Sequence, residues 1–374
     1  MAATDYRVTF VEFSTGLIWG ELPVQTAAFS RVINAPGAAT FKVPLSGDAV
    51  RDLPWSSLTP WRVLMYVQRG QQVLWGGPLV SYNVDLSAEE ITFNCQGLWA
   101  YYRRRIITKD ATFAQQDQAL IVRTLLKDFA DGTGQYAWNT GPKALTFAET
   151  YATGVKRDRV YRAYELKSVG AAVEDMAGVR DGFNFRIDHG WSGGRVVNTF
   201  TMLYPTSGDP TSLVLHHGGN CDVPAVSVDG SNMVTEAAAT GAGSAETQLS
   251  TWWYDLAHET DPGRQIPRLS AVQSRSDVTD TATLAGYAQQ AVSEGSVPVT
   301  IPTVRLHPDR FPSTGDLFVG QVVTVRADVA DWPGMDASYK VMEIATQVSD
   351  QGEETTLSLA PVEVFSSVGS AAQP

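Results

Sequence analysis

Adjacent His216 and His217, with Cys221 and Asp222 just beyond them, are the side chains of this sequence that could gather round a metal ion. Their spacing matches neither C-x-x-C nor H-x-x-x-H, and neighbouring side chains on a strand point to opposite faces. A strand end running into the Gly218-Gly219-Asn220 turn accounts for them, so no metal site is expected. The remaining histidines, His189, His258 and His307, are scattered. No G-x-S-x-G elbow is present, and neither cysteine has a papain-like context. Carboxylates pair freely along the chain, as in Asp158 and Glu165, Glu174 and Asp175, and Asp255 and Glu259. Glycoside hydrolysis needs two carboxyls at a set separation across a cleft, and no spacing marks one pair above another. Gly241-Ala242-Gly243 lacks the third glycine and following helix of a dinucleotide loop, and no G-x-x-x-x-G-K-[ST] occurs. The expectation is a chain with no enzymatic activity, no cofactor and no metal.

Two clusters could make contacts rather than bonds. Arg103-Arg104-Arg105 follows Trp99, Tyr101 and Tyr102. Cations beside rings can stack on and pair with nucleic acid. They can equally form salt bridges to a neighbouring subunit or to the middle region of the same chain, and the second reading is preferred. Trp252-Trp253 could anchor an interface, since tryptophan dominates binding hot spots. Arg103, Arg104, Arg105, Trp252 and Trp253 are therefore the candidate subunit-interface residues.

Charge constrains the partners. The chain has 374 residues, with 28 basic and 40 acidic side chains and a net charge of −12. That balance disfavours a general duplex-DNA binder, which uses cations to displace phosphate counterions. It does not disfavour a wall that DNA slides past. Thirty-two glycines and 19 prolines against 18% charged residues describe a turn-rich chain, not a long helical bundle. A hydrophobic share of 44% is enough for sizeable cores. Cys95 and Cys221 are too few for a disulfide framework and read as unpaired small hydrophobes. No signal peptide is evident, and no apolar run approaches the ~18 residues of a membrane span. Production in a cytoplasm, with any exit by lysis, is the expectation.

The elements that must carry these residues are mostly strands. Tyr6, Val8 and Phe10 alternate with Arg7 and Thr9, the period of a strand. Further strands are expected at 17–19, 24–33, 40–44, 62–68, 73–77, 79–84 and 91–96, with a Pro36-Gly37 turn. Signals recurring about every 8–12 residues point to a small antiparallel barrel over 1–100. Residues 101–225 read as α+β. Helices are expected near 114–130, from Ile121, Val122, Leu125, Leu126 and Phe129, and near 165–179, from Leu166, Val169, Val173, Met176 and Val179. Strands follow at 183–188 and 211–217. A second barrel is expected over 226–365, with strands at 232–240, 297–307, 317–327, 338–348 and 353–365 and a helical insertion near 278–293. Residues 366–374 read as a flexible tail. The fold class is thus mainly β: two small barrels with an α+β insertion.

Several segments together resemble the tail-hub, or baseplate-hub, proteins of long-tailed phages, often labelled minor tail proteins. Phe29-Ser30-Arg31-Val32-Ile33-Asn34-Ala35-Pro36-Gly37, with Phe41-Lys42-Val43-Pro44, resembles their opening strand, Pro-Gly turn and strand. Val73-Leu74-Trp75-Gly76-Gly77-Pro78-Leu79-Val80 is similar to their W-x-G hairpin. Ile91-Thr92-Phe93-Asn94-Cys95-Gln96-Gly97-Leu98-Trp99, then Tyr102 and Arg105, resembles the exit from their first barrel. Leu213-Val214-Leu215 to Gly219-Asn220 resembles a strand and G-N element. The helix at 278–292 before Gly320-Gln321-Val322-Val323-Thr324-Val325 resembles a helix before G-D-x-V-x-V, with Gln321 in place of the usual acid. Tyr339-Lys340-Val341-Met342-Glu343-Ile344 and Thr355-Thr356-Leu357-Ser358-Leu359 complete the second barrel.

The order of these motifs over roughly residues 5–365 carries the likeness. It implies a homotrimer whose paired barrels make a pseudo-sixfold ring at the virion tail tip, assembled in the host cytoplasm. That ring would join the hexameric tail tube to the tip and meet the distal tail protein, the tape measure protein and other tip proteins. Phage DNA would pass through its lumen without specific binding, and part of the −12 would face that lumen. The alternative class is a tail-associated cell-wall hydrolase or a carbohydrate-binding tip protein. A hydrolase usually adds a catalytic domain, and only residues 366–374 follow the second barrel.

Overall fold

A computed structural model describes residues 6–45, 48–129, 145–147, 151–179, 181–256, 265–275, 278, 280–328 and 334–362. The tail expected at 366–374 lies outside the described residues. The described structure is 52% strand and 16% helix, so it is mainly β, as its alternating patterns require. It divides into two compact units, Met1–Pro224 with Val304–Leu359, and Ala225–Thr303 with Ala360–Pro374.

The first unit begins with β1 (Tyr6–Glu12) antiparallel to β2 (Ile18–Pro23), then β3 (Thr26–Val32) antiparallel to β4 (Ala38–Pro44). The Pro36-Gly37 turn is where the sequence expects it. Gly37 has φ +65°, and a Cβ there would stand 2.1 Å from the Ser30 carbonyl oxygen, so only glycine fits. A short helix α1 (Asp48–Arg51) precedes β5 (Val63–Arg69), β6 (Gln72–Asp85) and β7 (Glu90–Gln96).

The sequence suggests two strands at 73–77 and 79–84, but the structure runs one. β6 pairs with β5 through Gln72–Pro78 and with β7 through Leu79–Asp85. Gly76-Gly77-Pro78 is therefore the place where a strand changes partner, not a turn. A Cβ on Gly77 would lie 1.9 Å from the Gln96 carbonyl oxygen, and one on Gly76 would lie 2.3 Å from the Tyr66 ring. Two bare backbones let the strand bend across its neighbours. The inward residues form one core, including Tyr6, Val8, Phe10, Phe41, Trp75 and Phe93. Phe10 meets Phe93 edge to face at 5.5 Å, and Phe41 meets Trp75 at 6.1 Å.

Next come α2 (Trp99–Arg103), β8 (Ala111–Asp117), α3 (Gln118–Thr124), β9 (Leu145–Thr146), β10 (Lys156–Tyr161), α4 (Val169–Ala177), β11 (Asn184–Ser192) and β12 (Arg195–Leu203). The helix expected over 114–130 starts late. Residues 111–117 are strand β8, paired antiparallel with β10. Asp117 ends that strand and caps α3, accepting the Ala119 N–H at 2.8 Å. A single π turn, Leu125–Phe129, continues α3. The helix expected over 165–179 is likewise shorter. Leu166 takes a left-handed conformation (φ +50°), and Ser168 caps α4 through the Ala171 N–H at 3.1 Å. Val169, Val173 and Met176 are buried, whereas Leu166 and Val179 fall outside the helix and are exposed.

The chain then runs through β13 (Asp209–His216) and β14 (Cys221–Asp229) into the second unit. That unit holds β15 (Glu236–Thr240), β16 (Ser250–Tyr254), β17 (Ser270–Ser274) and α5 (Thr281–Gly295). β18 (Val299–Leu306), β19 (Gln321–Ala327), β20 (Met335–Ser349) and β21 (Gly352–Pro361) complete the chain. β20 repeats the device of β6. Its first part pairs with β19, and Glu343–Val348 pairs with β3 from the opposite end of the sequence. The main sheet accordingly runs β14-β18-β21-β20-β3-β4-β7-β6-β5-β1-β2, with β13 and β19 joined beside it.

A buried ion pair joins β5 to β21. Arg69 Nη2 lies 3.4 Å from Glu353 Oε2, with side chains 9% and 2% exposed. The Tyr6 hydroxyl donates to that oxygen at 2.7 Å. Cys95 and Cys221 are free and buried, as expected of small hydrophobes, and burial pushes the Cys221 thiol up to about 12.

Two measurements check this packing. Trp75→Ala should destabilise by about 3–5 kcal/mol in denaturant unfolding, because the ring is fully enclosed. Lys340 is fully buried and donates to the Thr206 carbonyl at 2.6 Å, and burial lowers its pKa to about 8. The unfolded chain therefore binds the extra proton between about pH 8 and the ordinary lysine value of 10.5. Stability should rise with pH in that window, and the rise should vanish in Lys340→Met.

Candidate functional site

The three arginines leave the end of α2 and are engaged within their own unit. Arg103 Nε donates to Glu174 Oε1 on α4 at 2.6 Å, and Trp99 Nε1 donates to the same oxygen at 2.6 Å. α2 and α4 can meet because a Cβ on Gly170 would stand only 2.7 Å from Arg103 Cα. Arg104 sits 4.6 Å over the Trp61 ring, and Arg105 sits 5.9 Å over Tyr101. The Arg105 carbonyl accepts the Val169 N–H at 2.7 Å. Arg103 thus pairs with a carboxylate of its own chain, while Arg104 and Arg105 lie over the chain's own rings, contacts the sequence reading did not include.

Trp252 and Trp253 lie on β16, at one edge of the sheet β16-β15-β17. Helix α5 packs Leu284, Ala288 and Val292 on Ala237 and Ala239. Trp253 stands opposite Ala237, on the helix-covered side, while Trp252 and Val272 flank Ala238 on the other. The two tryptophans therefore serve opposite faces. Trp252 and Tyr254 have parallel rings, 6.1 Å between centroids and 11° between planes, and are 48% and 44% exposed. Val272 beside them is 68% exposed. These residues form an exposed aromatic face on the second unit's sheet.

The histidine and cysteine cluster is taken up by a turn. Asn220 accepts the His216 N–H and donates to the Val214 and Phe311 carbonyls. His217 Nδ1 accepts the Val223 N–H at 3.0 Å, and His307 Nε2 lies 3.1 Å from Asp222. Among the described residues no group of three or more such side chains is placed to hold a metal ion. The carboxylates flagged in the sequence have structural partners too: Asp158 accepts from Gln115, Asp175 pairs with Lys167, and Glu165 accepts the Arg162 N–H. His258 and Glu259 lie outside the described residues.

Sequence reasoning missed a cleft of about 340 Å³ in the first unit, walled by β3, β6, β11 and the segment around Phe318. Arg31, Arg186, Asp188 and His189 line it, beside Trp75, Trp99 and Phe318. Arg31 donates to the Leu317 and Thr314 carbonyls at 2.9 and 2.5 Å, while its Nε is shielded from solvent and has no hydrogen-bond partner. Burial lowers the Arg31 guanidinium to about 10. Arg186 Nε grips both oxygens of Asp188 at 2.9 and 3.0 Å, and Thr201 donates to Asp188 at 2.6 Å. His189 Nδ1 lies 2.6 Å from Asn198 Oδ1, and Asn198 in turn bonds the buried Tyr66 hydroxyl. Burial lowers the His189 pKa, so the ring is neutral. The alternation read over 183–188 placed Arg186 and Asp188 on a strand, but nothing marked Arg31 or His189 as lining a cleft.

Against known proteins, no family model matches the chain and no curated sequence matches it. Solved structures do. The chain is similar to the 43 kDa tail protein of prophage MuSo2 from Shewanella oneidensis, at TM-score 0.60 and 12% identity, covering 96% of this chain and 99% of that one. It is similar to a tail protein from Neisseria meningitidis at TM-score 0.57 and 14% identity, covering 97% and 98%. It is similar to prophage tail protein gp18 from Listeria monocytogenes at TM-score 0.51 and 11% identity, again covering 97% and 98%. The chain shares the fold of these tail proteins over 96–97% of its length.

The α2–α4 joint can be tested alone. Glu174→Ala leaves the buried Trp99 N–H and Arg103 without their shared acceptor, and should cost about 1–3 kcal/mol in thermal or denaturant unfolding.

Proposed function

We propose that the chain is a structural subunit of a bacteriophage tail, acting as the hub of the tail tip and carrying no catalysis of its own. The observation that supports it is the end-to-end likeness to prophage tail proteins, with near-complete coverage of both chains. The order of hub-like motifs in the sequence agrees with it. In this reading three copies form a ring that joins the tail tube and distal tail protein to the tip, next to the tape measure protein. DNA crosses the lumen unheld, and part of the net charge of −12 lines the wall.

The interface residues proposed for that ring are Arg103, Arg104 and Arg105 at the α2 corner and Trp252 with Trp253 on β16. An exposed aromatic face rimmed by polar residues is the usual signature of an association surface. The face around Trp252, Tyr254 and Val272 fits this description, and Arg268 and Glu236 form its charged rim, 3.8 Å apart.

Mass photometry of the purified chain should show trimers, and Trp252→Ser should shift them to monomers. Arg105→Ala should lower virion yield through failed tip assembly while the isolated chain keeps its melting temperature. A monomeric wild-type chain together with an unaltered virion yield would reject the hub.

A further inference from the structure

Positive charge gathers on one ladder of the first unit. Segments 103–112 and 156–168 run side by side: Ala111 and Thr112 pair with Tyr161 and Val160, Asp110 accepts the Ala163 N–H at 2.9 Å, and Ile106 bridges Ser168. Together the two segments carry nine basic and three acidic side chains. Glu174 and Asp175 on α4 pair with Arg103 and Lys167, which leaves an excess of four positive charges. Among the described residues Lys109, Lys156 and Arg159 have no carboxylate partner. Lys109 sits 4.7 Å over the Phe129 ring, and Arg159 donates to the Asp158 carbonyl at 3.1 Å.

Apolar side chains stand open along the same ladder. Tyr164 is 80% exposed and Leu166 65%, with Ile106 and Val160 also exposed. The turn that holds Tyr164, Ala163–Glu165, is anchored from its first residue by the Arg162–Asp110 ion pair at 2.9 Å. A basic surface that also exposes apolar groups calls for a partner that is both acidic and apolar.

Such a partner exists on the same unit. Residues 83–90, at the tip of the β6–β7 hairpin, hold Asp85, Glu89 and Glu90 and no basic residue. Lys42 pairs with Glu90 at 2.8 Å, so an excess of two negative charges remains. Asp85 folds the tip by accepting the Ser87 and Ala88 N–H groups at 2.8 and 2.9 Å. Leu86, between them, is 78% exposed, and Val84 is exposed beside it.

We infer that the 103–112/156–168 ladder of one copy takes the β6–β7 tip of a second copy, with Leu86 against Tyr164 and Leu166 and with Glu89 against Arg159. Two different surfaces that meet make a heterologous contact, which closes into a ring when the rotation between copies allows it. The inference rests on the ring proposed above and names the surfaces that join it. The charge distribution favours a second copy over nucleic acid. Residues 103–181 carry 13 basic and 10 acidic side chains, whereas the rest of the chain carries 15 and 30. A long polyanion drawn to the ladder would be repelled by the remainder, while a second copy brings acid to base.

Sedimentation of the full chain over a concentration series tests it. The wild type should trimerise, and association should weaken at least about tenfold between about 0.05 M and about 0.5 M salt, as screening shortens. Leu86→Ser and Tyr164→Ser, both at exposed side chains, should each weaken association about tenfold with an unchanged circular dichroism spectrum. Glu89→Lys should do the same, and Glu89→Lys combined with Arg159→Glu should restore association, which a merely destabilised chain would not do. Trimers that persist undiminished in Leu86→Ser, Tyr164→Ser and Glu89→Lys would overturn the inference and leave the ring standing. A monomeric wild type would overturn ring and contact together. Binding of a short DNA duplex that Arg159→Glu abolishes, with trimers unaffected, would assign the ladder to nucleic acid and overturn the inference as well.

Discussion

Strand β3 cannot be satisfied locally. Its backbone bonds β4 on one side and β20 on the other, with Ile344 opposite Arg31 and Val348 opposite Ala27. Two ends of a long chain must therefore meet before either sheet is complete, and the entropy of closing that loop is recovered only when the pairing forms. The Arg69–Glu353–Tyr6 cluster likewise ties β1 and β5 to β21. A buried pair in contact is stable, whereas either charge alone in that place would be costly. Arg31, also on β3, lines the cleft of the first unit.

The second constraint is the strand that changes partner. β6 and β20 each serve two neighbours in succession, which turns what would be separate hairpins into a continuous sheet. Glycine makes the β6 corner possible, since any side chain at Gly76 or Gly77 would strike Tyr66 or Gln96. In the second unit, among the described residues, a three-stranded sheet carries helix α5 on one face and an exposed aromatic cluster on the other.

Much of this was legible in the residues. β1, β4, β5 and β7 lie within a residue or two of expectation; β4 and β7 alternate because each buries one face, whereas β5 is an apolar run buried on both. The Pro36-Gly37 turn followed from backbone sterics. What was illegible had physical reasons. β10 is Lys156–Tyr161, charged and half-exposed, and no apolar face announces it. Residues 114–117 continued a helical count, yet their backbone is claimed by β10 and only Asp117 starts the helix. Gly76-Gly77-Pro78 has turn composition, and only tertiary pairing reveals a corner. The arginine cluster was visible as a cluster, but its partners, Glu174 and Trp61, lie far away in sequence. Arg31 and Lys340 were invisible as buried cations, since nothing local distinguishes them from surface residues. The hub-like motifs were individually weak and informative only in order, and that order agrees with the whole-chain likeness to tail proteins.

The proposed role of this chain is that of a structural hub at a phage tail tip. A cryo-EM map of tail tips from virions carrying it measures that most directly. The account predicts three copies in a closed ring at the end of the tube, with an acidic inner wall. A map that places the chain away from the tube axis, or as isolated copies on the outer surface, would contradict it.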